Sequence, residues 1–188
     1  MGADETLRIV FLGPPGSGKG TQAERLSKEF GVPAISTGEM LRTAVAAGDE
    51  LGQRVEGLMS RGELVDDGLM AEVVKKRLAE PDAARGFVLD GYPRTASQAD
   101  TLDDILSDRG QELDHVLLIA VPEERLVERA LLRQRDDDRE DVVRERLLVY
   151  RDKTEPLVER YREAGLLREI DGNQTIEQVG LSIRSVLG

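Results

Sequence analysis

The stretch Leu7–Gln22, "LRIVFLGPPGSGKGTQ", constrains the fold more than any other part of the chain. A run dominated by Val, Leu and Ile has the pattern of a strand buried on both faces. It leads directly into glycines at positions 13, 16, 18 and 20, a lysine at 19, and a helical pattern over Lys19–Phe30. Without Cβ atoms, successive backbone N–H groups can converge on one anion. The helix that follows adds partial positive charge at its N-terminus, and Lys19 adds a full one. Gly, four residues, then Gly-Lys is the phosphate-binding loop, and a strand before it and a helix after it are the context that loop requires. One position departs from the usual form. The residue after Lys19 is Gly20, and the hydroxyl that normally holds Mg²⁺ arrives one place late, at Thr21. The spacing predicts a nucleotide site with different metal handling.

Four more short apolar runs alternate with helical patterns: Pro33–Ser36, Gly86–Asp90, His115–Val121 and Leu167–Asp171. The helical segments after the first are Gly38–Ala47, Leu51–Arg61, Leu69–Leu78, Ala96–Arg109, Glu123–Arg133, Asp141–Ala164 and Thr175–Leu187. Strand–helix alternation throughout argues for an α/β fold, a parallel sheet covered by helices. Two places break the alternation. Three helical segments separate the second strand from the third, more than one crossover needs, which predicts a small helical insertion. The charged stretch "RQRDDDRED" (Arg133–Asp141) lies between two helices and reads by its charge as a solvated loop.

Composition narrows the function. At 188 residues the chain suits one domain, and at 39% hydrophobic but 3% aromatic its core must be aliphatic. A net charge of −11 repels nucleic acid and anionic membranes, so a polyanionic substrate would need basic residues gathered locally. The chain has no cysteine, which excludes disulfides and thiolate metal sites and suits a cytoplasmic protein. No run of about 18 apolar residues is present to span a membrane. The start, "MGADETLRIV", has neither a signal peptide's basic and apolar regions nor a myristoylation pattern. His115, the single histidine, opens a predicted strand and reads as structural.

"GPPGSGKGTQ", together with "STGEMLR" (Ser36–Arg42) and "LDGYPRT" (Leu89–Thr95), resembles the adenylate kinases of the nucleoside monophosphate kinase family. The motifs keep the family's order and spacing, and the likeness runs from Leu7 to Leu187. Gly-Lys-Gly-Thr is the family's own form of the loop, since its members hold Mg²⁺ mainly through phosphate oxygens and water. The resemblance implies a P-loop NTPase fold with a five-stranded parallel sheet flanked by helices. It also implies one kinase domain over 1–188, a helical NMP-binding insertion over about 37–66, and a short lid over about 129–141. The implied reaction is reversible phosphoryl transfer from MgATP to AMP, giving two ADP. Positioning and charge stabilisation dominate such chemistry, so a lysine and several arginines are expected and no nucleophile.

On the ATP side the resemblance implies Gly16, Ser17, Gly18, Lys19, Gly20 and Thr21, with Arg129, Arg133 and the backbone at Gln174. On the AMP side it implies Thr37, Arg42, the segment Glu63, Leu64 and Val65, then Gly91, Tyr92, Pro93, Arg94 and Gln98, with Arg135 and Arg146. The catalytic cations it implies are Lys19, Arg94, Arg129, Arg133, Arg135 and Arg146, and Asp90 orders the water around Mg²⁺. Plainer readings exist. Thr37 could cap the helix beginning near Gly38. Thr95 and Gln98 form T-x-x-Q, a possible capping box. Arg42 taken alone is a solvated helix charge. Asp90 ends a buried run, where an unpaired carboxylate is costly, and could pair with Lys or Arg.

Arg129 and Arg133 are four residues apart on one helix face. Guanidinium groups suit the dispersed charge of a phosphoryl group in flight. Arg135 and Arg146 match the two family arginines that close over the phosphates, Asp137 and Asp138 match acids that pair with lid arginines, and Arg139 and Arg144 suit local salt bridges. Only Gln134 separates Arg133 from Arg135, so the long lid of many bacterial members is missing, and without cysteine no structural zinc is expected. Glu39 and Tyr92 stand where Asp and Phe are frequent.

The nearest alternative is a UMP/CMP kinase, against which Thr37 and Gln98 argue. A GTP-binding switch would need an N-K-x-D motif, which is missing, and a D-x-x-G segment. A non-catalytic sensor would have lost Lys19 or the lid arginines. The expectation is a monomeric, cytoplasmic adenylate kinase acting on ATP, AMP and ADP with Mg²⁺, without nucleic-acid or membrane partners.

Overall fold

The computed structural model describes residues 6–133 and 139–188, the side chain of Arg133 excepted. The strands are β1 (Leu7–Leu12), β2 (Ala34–Ser36), β3 (Gly86–Asp90), β4 (His115–Ala120) and β5 (Leu167–Asp171), all parallel, in the order β2-β3-β1-β4-β5. The helices are α1 (Lys19–Phe30), α2 (Thr37–Ala47), α3 (Glu50–Arg61), α4 (Asp67–Leu78), α5 (Ala96–Ser107), α6 (Glu123–Arg133), α7 (Glu140–Val149), α8 (Leu157–Glu163) and α9 (Ile176–Leu187). This is the α/β architecture that the strand–helix alternation predicts.

The pleat divides the core into two layers. Val10, Leu12, Leu89, Val116 and Leu118 face one side, beneath residues of α4, α5 and α8. Ile9, Phe11, Val88, Leu117 and Ile119 face the other, where α1 and α9 cover them. Strands apolar on both faces need helices on both faces, and burying a side chain of this size is worth about 1.5–3 kcal/mol. A third, smaller cluster joins α6 to α7 through Leu126, Ala130, Val143 and Leu147.

The topology fixes where a ligand can bind. β1 has β3 on one side and β4 on the other. The chain leaves β1 toward β2 and leaves β4 toward β5, so the connections diverge above the carboxyl end of β1. A crevice of this kind is where open α/β sheets bind ligands.

The continuous helix expected over Asp141–Ala164 is instead three pieces. α7 ends at Val149, a wide π turn spans Tyr150–Thr154, and α8 starts at Leu157. Pro156 is the cause: it has no N–H to give to the residue four before it, and its ring crowds that carbonyl. The turn closes through the Glu155 N–H on the Tyr150 carbonyl, at 2.8 Å. α5 stops at Ser107, short of the expected Arg109, and Gly110 takes the left-handed conformation just beyond it.

Candidate active site

A cleft of about 620 Å³ opens above the carboxyl ends of β1 and β3. The glycine loop forms its floor. Gly16 sits at φ +85°, and a Cβ there would lie 2.8 Å from the Leu126 carbonyl; Gly18 sits at φ +97°. Only glycine allows the chain to turn this tightly against α6. Ser17 is buried within the loop. The Lys19 ammonium donates to the Gly13 carbonyl at 2.8 Å and the Pro14 carbonyl at 2.9 Å. Charged phosphate oxygens bind an ammonium more strongly than neutral carbonyls do, so these two contacts can be exchanged for them. Gly20 lies beside the end of β3, its hypothetical Cβ 3.6 Å from Asp90 Oδ2.

The opposite wall begins at Ser36 and Thr37. Ser36, not Thr37, caps α2, accepting from the Glu39 N–H at 3.4 Å. Thr37 is 1% exposed and its hydroxyl reaches the Asp90 carbonyl at 3.4 Å, which removes capping as its explanation. Gly91, at φ +88°, is hemmed by Thr37 Oγ1 and Arg94 Nη2; a Cβ would meet them at 2.6 and 3.2 Å. A side chain on residue 91 would therefore displace two expected site residues at once.

Arg94 is held from several directions. Its Nε donates to the Gly91 carbonyl at 2.8 Å, and its own N–H donates to Gln98 Oε1 at 2.7 Å. Its carbonyl accepts from the buried Thr154 hydroxyl at 2.8 Å. Burial pushes the pKa of its guanidinium down; Asp90 opposes that shift and Arg146 reinforces it. A guanidinium so placed stays charged, and an incoming anion would relieve the cost of burying it. The half-capping box at α5 fits this arrangement. Thr95 Oγ1 accepts from the Gln98 N–H at 3.1 Å, but the Gln98 amide turns to Arg94 and to Asp67 instead of closing the box.

Most of the expected site residues line this one cleft: Gly16 to Thr21, Thr37, Arg42, Glu63, Leu64, Val65, Asp90, Gly91, Pro93, Arg94, Gln98, Arg129, Arg146 and Gln174. Glu63 turns its carboxylate to Arg61, at 2.7 and 3.0 Å, and leaves the cleft wall to its backbone and neighbours. Arg129 donates to the Gly172 carbonyl at 3.1 Å. Beside it, the Asn173 N–H and the Gln174 amide hold the Asp171 carboxyl below its ordinary pKa and order the loop that carries Gln174. Tyr92 is the exception. Its ring is 1% exposed in the core and is not part of the cleft wall, because a ring of that size gains more from the apolar layer than from a wet rim. Arg135, Asp137 and Asp138 lie outside the described residues, as does the side chain of Arg133. Of the salt-bridge expectations, Arg144 pairs with Glu140 at 2.8 Å, and Arg139 pairs with Asp141 at 3.4 Å.

The sequence reading missed Tyr150 and Thr154, which also line the cleft. Both belong to the π turn, a feature often found at functional sites. The proline two residues after Thr154 was the available signal. It also missed Asp67, the first residue of α4.

A phosphate-binding loop at the switch point of a parallel sheet, facing arginines across a cleft of nucleotide size, defines the class: a P-loop phosphotransferase. Comparison with known proteins then narrows it. Residues 11–166 match the family model described as adenylate kinase. An adenylate kinase of Thermus thermophilus is 50% identical over 184 residues, covering 96% of each chain. One from Thermobifida fusca is 49% identical over 177 residues, covering 92% of this chain and 94% of its own. One from Archaeoglobus fulgidus is 43% identical over 212 aligned positions, covering 96% and 98%. The chain belongs to the adenylate kinase family. It is thus a nucleoside monophosphate kinase that interconverts ATP and AMP with ADP, and the UMP/CMP alternative is not favoured.

Proposed function

We propose that the two walls of this cleft bind the two nucleotides separately and bring their phosphates together above Asp90 and Arg94. What carries the reading is the gathering, in a chain of net charge −11, of Lys19, Arg42, Arg94, Arg129 and Arg146 around one cavity. On the ATP side, the N–H groups of Gly16 to Thr21 cradle the phosphates, and Lys19 leaves its carbonyls for their oxygens. Arg129 reaches the same phosphates, and the backbone at Gln174 meets the adenine. On the AMP side, Arg42 and Arg94 grip the phosphate, Thr37 and Gln98 address the base, and Leu64 and Val65 cover it. Arg146 faces the gap between the two phosphates.

The transferred phosphorus bonds to an oxygen of the AMP phosphate as its bond to the ATP β-phosphate bridging oxygen breaks. The acceptor is already an anion, so no proton need be removed, and the protein's task is to align the two oxygens and neutralise charge. Mg²⁺ usually keeps several waters and binds through one or two carboxylates plus substrate phosphates. Asp90 at the cleft floor offers such a carboxylate, and among the described residues no cluster of three or more His, Cys, Asp or Glu forms a cage for a metal. When bound, the ion supplies charge neutralisation to the phosphates. We further propose that α2 and α3, within residues 37–66, close over AMP, that residues 129–141 close over ATP, and that the protein works as a cytoplasmic monomer. Among the described residues no helix is long and apolar enough to cross a membrane.

Calorimetric titration with a bisubstrate analogue, two adenosines joined through a chain of phosphates, tests this reading. One analogue per chain is expected, and prior saturation with either ATP or AMP should weaken its binding. Two analogues per chain, or indifference to AMP, would contradict a single shared cleft.

A further inference from the structure

The amide of Gln98 is wired into the protein in one sense only. Its Oε1 accepts from the Arg94 backbone N–H at 2.7 Å, and its Nε2 donates to Asp67 Oδ1 at 2.8 Å. The second carboxylate oxygen of Asp67 accepts from the Thr95 hydroxyl at 3.0 Å, and Thr95 Oγ1 in turn accepts from the Gln98 N–H at 3.1 Å. Gln98 is 2% exposed, so water does not compensate for a lost partner. A flipped amide would set its NH₂ against the Arg94 N–H and its oxygen against a carboxylate. Both contacts would be repulsive. Each end of an amide has capacity for two hydrogen bonds, so one Nε2 hydrogen and one Oε1 lone pair remain for the cleft that Gln98 lines.

We propose that Asp67 is a specificity-determining positioning residue: by fixing the sense of the Gln98 amide it makes the site accept a 6-aminopurine and reject a 6-oxopurine. This rests on the reading of Gln98 as the group that addresses the acceptor base. Adenine presents an amino donor at position 6 beside an acceptor nitrogen at position 1, which match a free lone pair and a free N–H. Hypoxanthine presents the reverse, an acceptor at position 6 beside an N–H at position 1. Pairing with it requires the flip that Asp67 and the Arg94 N–H oppose. Asp67 itself does not line the cleft. It lies at the first turn of α4, across the cleft wall from α5, and discrimination by Gln98 depends on that neighbouring element.

The test uses AMP and inosine monophosphate, which differ only along that edge, as acceptors for MgATP. The readout is the ratio of their kcat/KM values in the wild type, D67A, D67N, Q98A and D67A/Q98A, with thermal unfolding recorded for each. D67A should lower the AMP preference about five- to tenfold, the value of one well-placed hydrogen bond. D67N loses the same negative charge but still offers an oxygen to Nε2, so it should retain most of the preference. A loss of helix-terminal charge alone would move both variants equally. In the Q98A background D67A should change the ratio no further. D67L, which offers no acceptor but fills the space, gives the same reading if D67A does not fold. An unchanged ratio in D67A and D67L, with Q98A still lowering it, would overturn the proposal while leaving the role of Gln98 intact. So would additive effects of D67A and Q98A. An unchanged ratio in Q98A would instead remove the base-addressing role of Gln98, and the proposal with it.

Discussion

Lys19 and Arg94 show how single side chains are prepared before any nucleotide arrives. Lys19 waits on two carbonyls, and Arg94 is fixed by Gly91, Gln98 and Thr154 while burial works against its charge. Arg94 meets a phosphoryl group in transit already in place, Lys19 has only to exchange carbonyl oxygens for phosphate oxygens, and losing either is expected to cost on the order of a hundred- to thousandfold in turnover. Lys19→Ala and Arg94→Ala should each show that loss in steady-state kinetics, with unfolding free energies within about 1 kcal/mol of wild type. Near-normal turnover in a folded variant would contradict the assignment. At this scale the sequence carried identity but not direction. The family resemblance pointed to Thr37, Arg42 and Gln98, yet only the fold shows Ser36 as the cap of α2, the Tyr92 ring in the core, and the Gln98 amide facing Asp67. The Asp67 contact spans 31 positions between two helices, beyond the reach of any local pattern.

Among the elements, the helices over 37–61 depend on close approach. A Cβ at Gly52 would lie 2.1 Å from the Ala44 carbonyl, so α3 packs onto α2 with almost no space between backbones. Gly52→Ala forces the two helices apart. Overpacking of this kind costs about 1–3 kcal/mol, and since both helices border the wall proposed for AMP, KM for AMP should rise more than KM for ATP. Denaturant unfolding and kinetics with each substrate varied check both halves; unchanged stability would mean that the helices separate freely. Strand and helix positions were largely legible, because runs such as "HVLLIAV" are buried on both faces and cannot be read as amphipathic. The break in the expected helix over Asp141–Ala164 was not. Pro156 marks the break, but the apolar spacing continues through it, and the wide π form of the turn is set by the Glu155–Tyr150 bond. That turn places Thr154 under Arg94, so the local departure from regular helix is what supports the site.

For the whole molecule, topology and charge act together. The divergence of connections above β1 makes the crevice, and the glycine loop at its floor supplies N–H groups in place of side chains. Basic residues concentrate there against an overall charge of −11, which favours a small polyanion in the cleft over nucleic acid on the surface. On this reading the cleft transfers a phosphoryl group directly between two nucleotides and selects adenine on the acceptor side. Phosphorus NMR of the purified protein with MgATP and, in separate samples, AMP, CMP, UMP or GMP tests it most directly. ADP resonances should grow with AMP, the reaction should run in reverse when ADP is added to fresh enzyme, and the other three acceptors should turn over slowly at most. Transfer to CMP or UMP at rates matching AMP, or ATP bound with no transfer to any acceptor, would contradict it.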